Sequence, residues 1–206
     1  MKVFVAGGSG VMGTRLIPLL VAAGHEVVAM TRTSAKLDAL ADLGAEPVLC
    51  DIFDGHGVLT AVDAAHPDVV VHQLTDLPDD PAQIANGRSA NARIREEGTD
   101  NLIAAALAGG VSRIVTQSIA WLTDGARVPA VVHLERRTRE AGGVVLRYGQ
   151  WYGEGTYHPT DPPPPPRIHI DAAARATVDA LTLTPGTYTV TDDGTVAADD
   201  ADGVAP

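Results

Sequence analysis

Three glycines near the amino terminus, Gly8, Gly10 and Gly13, have the spacing of a turn that binds a dinucleotide diphosphate. In this pattern one glycine forms the tight turn, one lets the backbone approach the diphosphate, and one lets helix and strand pack closely. A helix that starts at such a turn presents free N–H groups and a positive partial charge to the phosphates. We therefore predict cofactor contacts from the whole turn; the alternative is a glycine-rich loop without a ligand. The turn comprises Gly7, Gly8, Ser9, Gly10, Val11, Met12 and Gly13.

The end of the second predicted strand indicates which dinucleotide is preferred. NAD-binding domains usually carry an acidic residue about 20 positions after the glycines, where it bonds the ribose 2′-hydroxyl. Here the chain reads Met30-Thr31-Arg32-Thr33-Ser34, without a carboxylate. We predict that Thr31 and Arg32 contact the 2′-phosphate of NADP, because a guanidinium pairs well with phosphate. NAD stays the alternative cofactor, and a solvated loop charge stays the alternative interpretation of Arg32.

Two further positions complete the predicted cofactor contacts. Asp51 follows the third predicted strand, where this fold often contacts the adenine, although an exposed turn aspartate fits the position nearly as well. Leu74 follows the fourth predicted strand. The seven histidines show no spacing with Cys, Asp or Glu of the kind that metal sites use, so we predict no metal.

Short apolar runs alternate with longer helical patterns along the chain, which is typical of strand-helix units that build a parallel sheet. The pattern predicts an α/β fold, a Rossmann-type doubly wound parallel sheet with helices on both faces. The predicted strands are Lys2–Ala6, Glu26–Met30, Glu46–Leu49, Asp68–His72, Arg113–Gln117 and Val144–Arg147. The predicted helices are Val11–Ala23, Ser34–Leu43, Gly57–Ala65, Gly98–Ala108 and Pro129–Ala141.

The pattern changes after about residue 155. Five consecutive prolines, Pro162 to Pro166, predict a stiff extended connector, with a proline-rich recognition motif as the alternative. A helix follows, Ala172–Leu181 with Asp171 as its N-cap, and then a strand, Thr187–Thr191. We therefore divide the chain into a dinucleotide-binding domain (1–155), a reduced substrate-cap segment packed on it (156–191), and an acidic tail (192–206) expected to be disordered.

Composition limits the classes of partner. The 206 residues carry a formal net charge of -11, which argues against a nucleic-acid partner because such proteins need a basic face. One cysteine, the lack of a secretion signal and the lack of an apolar run of about 20 residues predict a cytoplasmic protein without a membrane span. The expected partner is a small-molecule substrate.

Four segments resemble blocks of the extended or atypical short-chain dehydrogenase/reductases, also called the NAD-dependent epimerase/dehydratase family. The similarity spans about residues 1 to 155, and a fainter match continues at residues 169 to 173. The resemblance implies a nicotinamide cofactor and a small carbonyl or hydroxyl substrate; a homodimer is a further family expectation. The segments are the glycine turn, Glu97-Gly98-Thr99-Asp100-Asn101-Leu102, Arg113-Ile114-Val115-Thr116-Gln117-Ser118 and Leu146-Arg147-Tyr148-Gly149-Gln150-Trp151-Tyr152-Gly153.

The resemblance also implies site residues. Ser118 ends the fifth strand at the position of the family's substrate-orienting serine. Relatives use a tyrosine as acid-base and a lysine four residues later, on one helix face. Anchored on Glu135, which resembles the family's helix glutamate, these positions hold Arg127 and Val131, so both partners are missing. The four-residue spacing of Glu135 and Arg139, and of His133 and Arg137, otherwise fits side chains that pair on the surface of a helix.

Two residues are candidates to replace the missing proton donor. His72 ends the fourth strand and Tyr152 follows the sixth, and ligands in such sheets bind beyond the carboxyl ends of the strands. Packing roles fit both residues as well, and we take Ser118 and Tyr152 as the predicted catalytic pair. No Gly-x-Ser-x-Gly sequence surrounds Ser118, so a hydrolase triad with Asp124 is not expected.

Two functions follow. The first is an NAD(P)-dependent oxidoreductase or epimerase with non-standard catalytic residues and a shortened substrate lid. The alternative is an NADP-binding protein without redox turnover, such as a sensor, a partner-binding module or a non-redox enzyme.

Overall fold

A computed structural model of the chain describes residues 1–78, 80–121 and 128–198. Within these ranges the chain forms one large sheet and one small sheet, with helices between the strands. The strands are β1 (Lys2–Ala6), β2 (Glu26–Thr31), β3 (Glu46–Leu49), β4 (Val69–His72), β5 (Arg113–Ile119), β6 (Val144–Tyr148), β7 (Gln150–Tyr152), β8 (Arg167–His169), β9 (Gly186–Thr191) and β10 (Gly194–Ala197).

The large sheet has the strand order β10-β9-β6-β5-β4-β1-β2-β3. Strands β1 to β6 and β9 run parallel to their neighbours, and β10 returns antiparallel to β9. Strands β7 and β8 form the small parallel sheet. The chain order reverses between β1 and β4, so a crevice opens there beyond the carboxyl ends of the strands.

The helices cover both faces of the large sheet. They are α1 (Gly13–Ala22), α2 (Leu37–Asp42), α3 (Gly55–Ala65), α4 (Ile84–Arg93), α5 (Thr99–Ala108), α6 (Pro129–Glu140) and α7 (Ile170–Asp179). Alternate residues of β1 point to opposite faces: Val3 and Val5 join the apolar cluster of α1 and α7, and Phe4 joins that of α3 and α5. The strands therefore read as continuous apolar runs because both faces are buried. The predicted doubly wound parallel fold is confirmed.

Helices α4 and α5 are joined by a π-helical turn, Ile94–Gly98, so that one continuous helix runs from the end of the β4 loop back along the sheet. Sequence analysis predicted α5 but missed α4, whose sequence is polar and gives a weak apolar stripe. The π-helical turn of this helix contains Ile94 and Arg95.

Two predictions for the last part of the chain are wrong. Helix α7 begins at Ile170, and its N-cap is His169, whose Nδ1 accepts the backbone N–H of Asp171 at 3.3 Å. The Asp171 carboxylate pairs instead with Arg15 of α1 at 3.0 Å. Residues 192 to 197, expected to be disordered, form a turn and strand β10, because edge-strand pairing with β9 satisfies their backbone groups without an apolar core.

No helix in the described ranges is long and apolar enough to cross a membrane.

Candidate active site

The glycine turn after β1 is fixed by close backbone contacts. A Cβ atom on Gly13 would overlap the carbonyl oxygens of both Gly7 and Gly8, so only glycine lets α1 approach the turn. Gly7 has φ +93°, and a Cβ there would lie 2.7 Å from the backbone oxygen of Gln73, after β4. A Cβ on Gly10, by contrast, would meet only the Gly7 oxygen at 3.5 Å, an ordinary contact. The fold does not require glycine at Gly10, which leaves a cradle that a ligand can approach.

The amino-terminal end of α1 suits an anion. Its first turn contains no acidic residue, and the helix begins directly at the glycine turn. The residues that precede it are bound back to the turn, since the Gly10 amide donates to the Gly7 oxygen at 3.2 Å and the Thr14 amide to the Gly10 oxygen at 3.0 Å. Helix N-termini of this kind attract phosphate because of their free N–H groups and aligned peptide dipoles.

A cleft runs from this turn along the carboxyl ends of β1, β2 and β4. Of the predicted cofactor contacts, Gly8, Val11, Met12 and Gly13 belong to the turn but not to the cleft lining, and Asp51 lines a neighbouring groove. Asp51 lies outside the lining because its Oδ1 accepts the Phe53 N–H at 3.0 Å, which closes a local turn. The cleft is lined by the predicted Gly7, Ser9, Gly10, Thr31, Arg32 and Leu74, and by Met30, Thr33, Lys36, Cys50, Ile52, Gln73, Thr75 and Ile94.

One end of the cleft is polar and carries two cations. Ser9 Oγ and Thr31 Oγ1 are 2.9 Å apart, and Lys36 Nζ lies 3.5 Å from the Ser9 carbonyl oxygen. Sequence analysis did not identify Lys36, although it is one of only two lysines in the chain. The cluster of hydroxyl groups with nearby cations suits a phosphate monoester.

Arg32 at this end is paired with a carboxylate that the sequence did not suggest. Its two terminal nitrogens lie 2.8 and 3.3 Å from the two carboxylate oxygens of Asp76, which follows β4. The hydrogen bond to Asp76 raises the pKa of the guanidinium further above its ordinary value. A bound phosphate at this position would therefore compete with Asp76 for Arg32.

Ser118 lies at the end of β5 in a buried ionic network. It is only 2% exposed, and its Oγ donates to Glu135 Oε1 at 2.5 Å. Arg147, its neighbour on β6, donates to both oxygens of the same carboxylate at 2.9 and 2.5 Å. Because the Ser118 proton is committed to Glu135, the hydroxyl offers only its acceptor side to a substrate. The expected substrate-orienting role of Ser118 can use the hydroxyl as a donor only if this proton leaves Glu135.

Glu135 is therefore not a surface residue. Sequence analysis interpreted Glu135 and Arg139 as a pair on the helix surface, yet the Glu135 side chain is 5% exposed and Arg139 Nη1 lies 3.6 Å from its Oε2. Helical spacing fits an exposed Glu135 and a buried one equally well. Glu135 is buried because β6 places Arg147 against it.

Tyr152 does not reach this network through any contact that the described residues make. Its hydroxyl donates to both carboxylate oxygens of Asp192 at 3.2 Å, and its ring packs edge-on against His169 with 5.1 Å between centroids. Burial and the Asp192 charge raise the pKa of the phenol above its ordinary value. These contacts do not favour the predicted proton-donor role, because a phenol with a raised pKa gives up its proton less readily.

His72 is held as a neutral, structural imidazole. Its Nδ1 accepts the Leu74 N–H at 3.3 Å, so Nε2 carries the proton and donates to Thr99 Oγ1 at 3.0 Å. Burial, with a contribution from Arg95, lowers the pKa of His72 to about 4. A neutral imidazole with both nitrogens occupied has no proton available for a substrate.

The depressed pKa of His72 predicts a loss of stability in weak acid. In the unfolded chain His72 binds a proton below its ordinary pKa of 6.5, whereas in the folded chain it stays neutral down to about pH 4. The free energy of unfolding should therefore fall by about 2 kcal/mol between about pH 7 and about pH 5 from this group alone. Urea unfolding at the two pH values measures the loss. His72→Gln, which does not titrate, is the control: an equally steep fall in that variant would contradict this assignment.

With this geometry described, comparison with known proteins identifies the family. A family model described as NAD(P)H-binding matches residues 7–141. The chain belongs to the NAD(P)H-binding family. The matched range begins in the glycine turn and ends after α6, and thus includes the cleft, Ser118 and Glu135. A nicotinamide dinucleotide is the ligand of this family, and the open position at Gly10 fits its diphosphate.

Curated relatives of this NAD(P)H-binding chain are reductases and dehydrogenases. It is 39% identical over 188 residues to a 3-diazoavenalumate denitrifying reductase of a Streptomyces species, which covers 78% of this chain and 60% of that protein. It is 35% identical over 116 residues to a 3-beta-hydroxysteroid dehydrogenase of Mycolicibacterium neoaurum, covering 55% of this chain and 31% of that protein. The chain thus spans at most 60% of the length of these two relatives.

Two solved structures of enzymes in complex with NAD share the fold. The UDP-glucose 4-epimerase of Thermus thermophilus, in complex with NAD, superposes with a TM-score of 0.76 at 20% identity, over 96% of this chain and 79% of that one. The Bordetella bronchiseptica enzyme WbmH, in complex with NAD+, gives 0.73 at 21% identity, over 95% and 77%. The predicted resemblance to the short-chain dehydrogenase/reductases is confirmed.

The family resemblance also locates the positions of the absent tyrosine and lysine. Val131, at the lysine position, is a buried apolar residue of α6. Arg127, at the tyrosine position, and Asp124 lie outside the described residues. The complete sequence contains two lysines, Lys2 and Lys36, and no Tyr-x-x-x-Lys segment. The full sequence of this member of the NAD(P)H-binding family therefore lacks the tyrosine–lysine pair that the resemblance implies.

Proposed function

We propose that this chain is an NADPH-dependent oxidoreductase that delivers hydride to a small organic electrophile. The observation that carries the proposal is the cradle at Gly10, which the fold leaves open beside the amino-terminal end of α1 and which continues into a cleft with two cations. Ser118 lies at the same edge of the sheet, two strands from β1. A cofactor held along this edge would therefore extend towards Ser118.

Different residues of the cleft bind different parts of the cofactor. In this proposal the turn and the first amides of α1 bind the diphosphate, and Ile52 and Ile94 flank the adenine. Arg32 and Lys36 bind the 2′-phosphate, which favours NADP over NAD. When bound, the cofactor supplies a hydride from its nicotinamide ring.

Gly10→Ala tests the placement of the diphosphate without disturbing the fold. The new methyl group has room in the protein but would crowd the phosphates, so we expect the affinity for NADPH to fall tenfold or more, about 1.4 kcal/mol. The melting temperature should stay unchanged. Calorimetric titration and thermal unfolding provide the two readouts.

Gly13→Ala is the matched control for this prediction. Its methyl group would overlap two carbonyl oxygens of the turn, so this variant should lose stability. Wild-type affinity in Gly10→Ala would contradict the proposed position of the diphosphate.

The chemistry of proton transfer narrows the type of electrophile. Reduction of a carbonyl leaves an alkoxide that needs a proton, which relatives take from the tyrosine that this chain lacks. Ser118 cannot replace it while its proton is bound to Glu135. An electrophile that takes hydride and expels a neutral molecule needs no such proton.

We therefore propose a diazo-type substrate class, specifically an arenediazonium ion. The 39% identical relative bears a name that specifies a diazo compound and the loss of nitrogen. The balanced step consumes the cation and one hydride: a C–H bond forms, the C–N bond breaks with its electrons going to nitrogen, and dinitrogen leaves. No proton is taken up. Ser118, Glu135 and Arg147 would then shape the site and hold its charge without exchanging protons with the substrate.

A turnover assay decides between the functions. NADPH absorbance and dinitrogen release are followed with 4-methoxybenzenediazonium and, separately, with 4-methoxybenzaldehyde, and the same mixtures without protein correct for the uncatalysed reaction. Consumption with release of dinitrogen from the diazonium alone supports the proposal. Comparable consumption with the aldehyde would overturn the proton-free step, and tight NADPH binding without turnover of either probe would favour the alternative of a cofactor-binding protein without redox activity.

A further inference from the structure

Arg95 lies in the π-helical turn between α4 and α5, on the helix face that looks towards the sheet. It stands four residues before Thr99, whose hydroxyl bonds His72 at the end of β4, so the two side chains share a face. The helix runs antiparallel to the strands. Arg95 therefore lies about one turn, or about 5 Å, farther along the strand direction than His72, towards the carboxyl edge of the sheet. Ser118 lies about 7 Å beyond that level, because Thr116 is the β5 partner of His72. Arg95 and Ser118 therefore reach the same level of the carboxyl edge.

The Arg95 guanidinium is unusual in having no hydrogen bond or ion pair with any residue that the structure describes. Its neighbour Arg93 pairs with Glu97 at 2.7 Å and stacks on the ring of Phe53, with 3.8 Å to the centroid. Burial lowers the pKa of Arg95, and the charge of Glu135 partly offsets this effect. Yet the Glu135 oxygens are already bound by Ser118 and Arg147.

A partly buried cation without an acceptor is costly unless something else binds it. Desolvation of a charge opposes folding, and a protein gains nothing from the arrangement in stability. An arginine provides up to five N–H donors in a planar fork, which matches the two oxygens of a carboxylate. Ser118, whose proton is bound to Glu135, supplies no donor at this edge of the sheet, whereas the Arg95 fork can supply one.

We propose that Arg95 binds a carboxylate of the substrate beside Ser118, so that the substrate of this site carries a carboxylate in addition to its reacting group. The inference rests on the proposed function, since it adds an anion subsite at the edge of the sheet towards which the proposed cofactor extends. The carboxylate would fix the reacting group relative to the cofactor, which makes Arg95 a substrate-binding residue. No proton passes through it.

The test uses benzoate and its neutral isostere benzamide as probes. The wild-type chain is first titrated with NADP+, and the complex is then titrated with each probe by calorimetry. We expect benzoate to bind at least tenfold more tightly than benzamide. Arg95→Met should abolish this ratio, while Arg93→Met, the matched control on the same helix, should retain it.

Stability separates a binding role from a structural one. If Arg95 serves the substrate, Arg95→Met removes a desolvated charge and leaves the melting temperature unchanged or higher. A lower melting temperature together with a retained benzoate preference would overturn the inference. Arg95→Lys keeps the charge but loses the fork, and should retain part of the preference.

The outcomes distinguish this inference from the proposed function. Failure to bind NADP+ in the first titration would refute the proposed function. Normal binding of NADP+ with equal affinity for benzoate and benzamide would refute only the anion subsite.

Discussion

Replacing Glu135 with alanine is expected to lower the free energy of unfolding by about 4 kcal/mol. The substitution leaves the largely buried Arg147 guanidinium without its carboxylate, and it leaves the Ser118 hydroxyl without its acceptor. Removing one partner of a buried ion pair is strongly destabilising because the other charge loses that interaction while it stays in the interior. Urea unfolding monitored by circular dichroism measures the loss.

Two control variants separate burial from loss of charge. Glu140→Ala removes an exposed carboxylate at the end of the same helix, where it pairs with Arg136, and should leave stability unchanged within error. The double replacement Glu135→Met with Arg147→Met removes both charges and should recover most of the loss. A Glu135→Ala variant as stable as the wild type would show that this network does not hold the end of β5 in place.

Replacing Arg32 with aspartate is expected to shift the ratio of NADPH to NADH affinity about 100-fold towards NADH, equivalent to about 2.7 kcal/mol. The change removes a guanidinium that can bond the 2′-phosphate and adds a carboxylate that repels it. The new carboxylate would also accept the ribose 2′-hydroxyl of NAD, as acidic residues at this strand end commonly do. Calorimetric titration with both reduced cofactors measures the ratio.

Asp76 gives a prediction of opposite sign that serves as the control. Asp76→Asn frees Arg32 from its bidentate partner and removes a negative charge near the proposed phosphate. NADPH affinity should then rise severalfold, while NADH affinity changes little. If Arg32→Asp left the ratio of NADPH to NADH affinity unchanged, Arg32 would pair only with Asp76. Its proposed contact with the 2′-phosphate of NADP would then be refuted.

The sequence predicted those parts of the fold that depend on local pattern. The glycine turn and the strands of the parallel sheet were identified because their apolar runs are bounded by glycines, and this pattern follows from burial on both faces. Strand β10 and helix α4 were missed because their sequences are polar. The backbone groups of β10 are satisfied by β9, a partner that no local pattern reveals, whereas those of α4 bond within the helix, whose apolar stripe is weak.

The site was predicted where it follows from the ends of strands, and it was missed where it depends on distant pairs. Ser118 was located by its position at the end of β5, and Arg32 by its position directly after β2. The partner of Arg32, Asp76, lies 44 residues away, and the bond between Arg147 and Glu135 depends on the register of β5 against β6. A charged residue four positions from an opposite charge suggests a surface pair, so the burial of Glu135 could not be inferred from helical spacing.

Titration of the purified wild-type chain with NADPH and with NADH in a calorimeter tests the central claim most directly. The account predicts that one molecule of either cofactor binds per chain and that NADPH binds more tightly. Absence of measurable binding for both would contradict the assignment of the glycine turn, and with it every role proposed for the cleft.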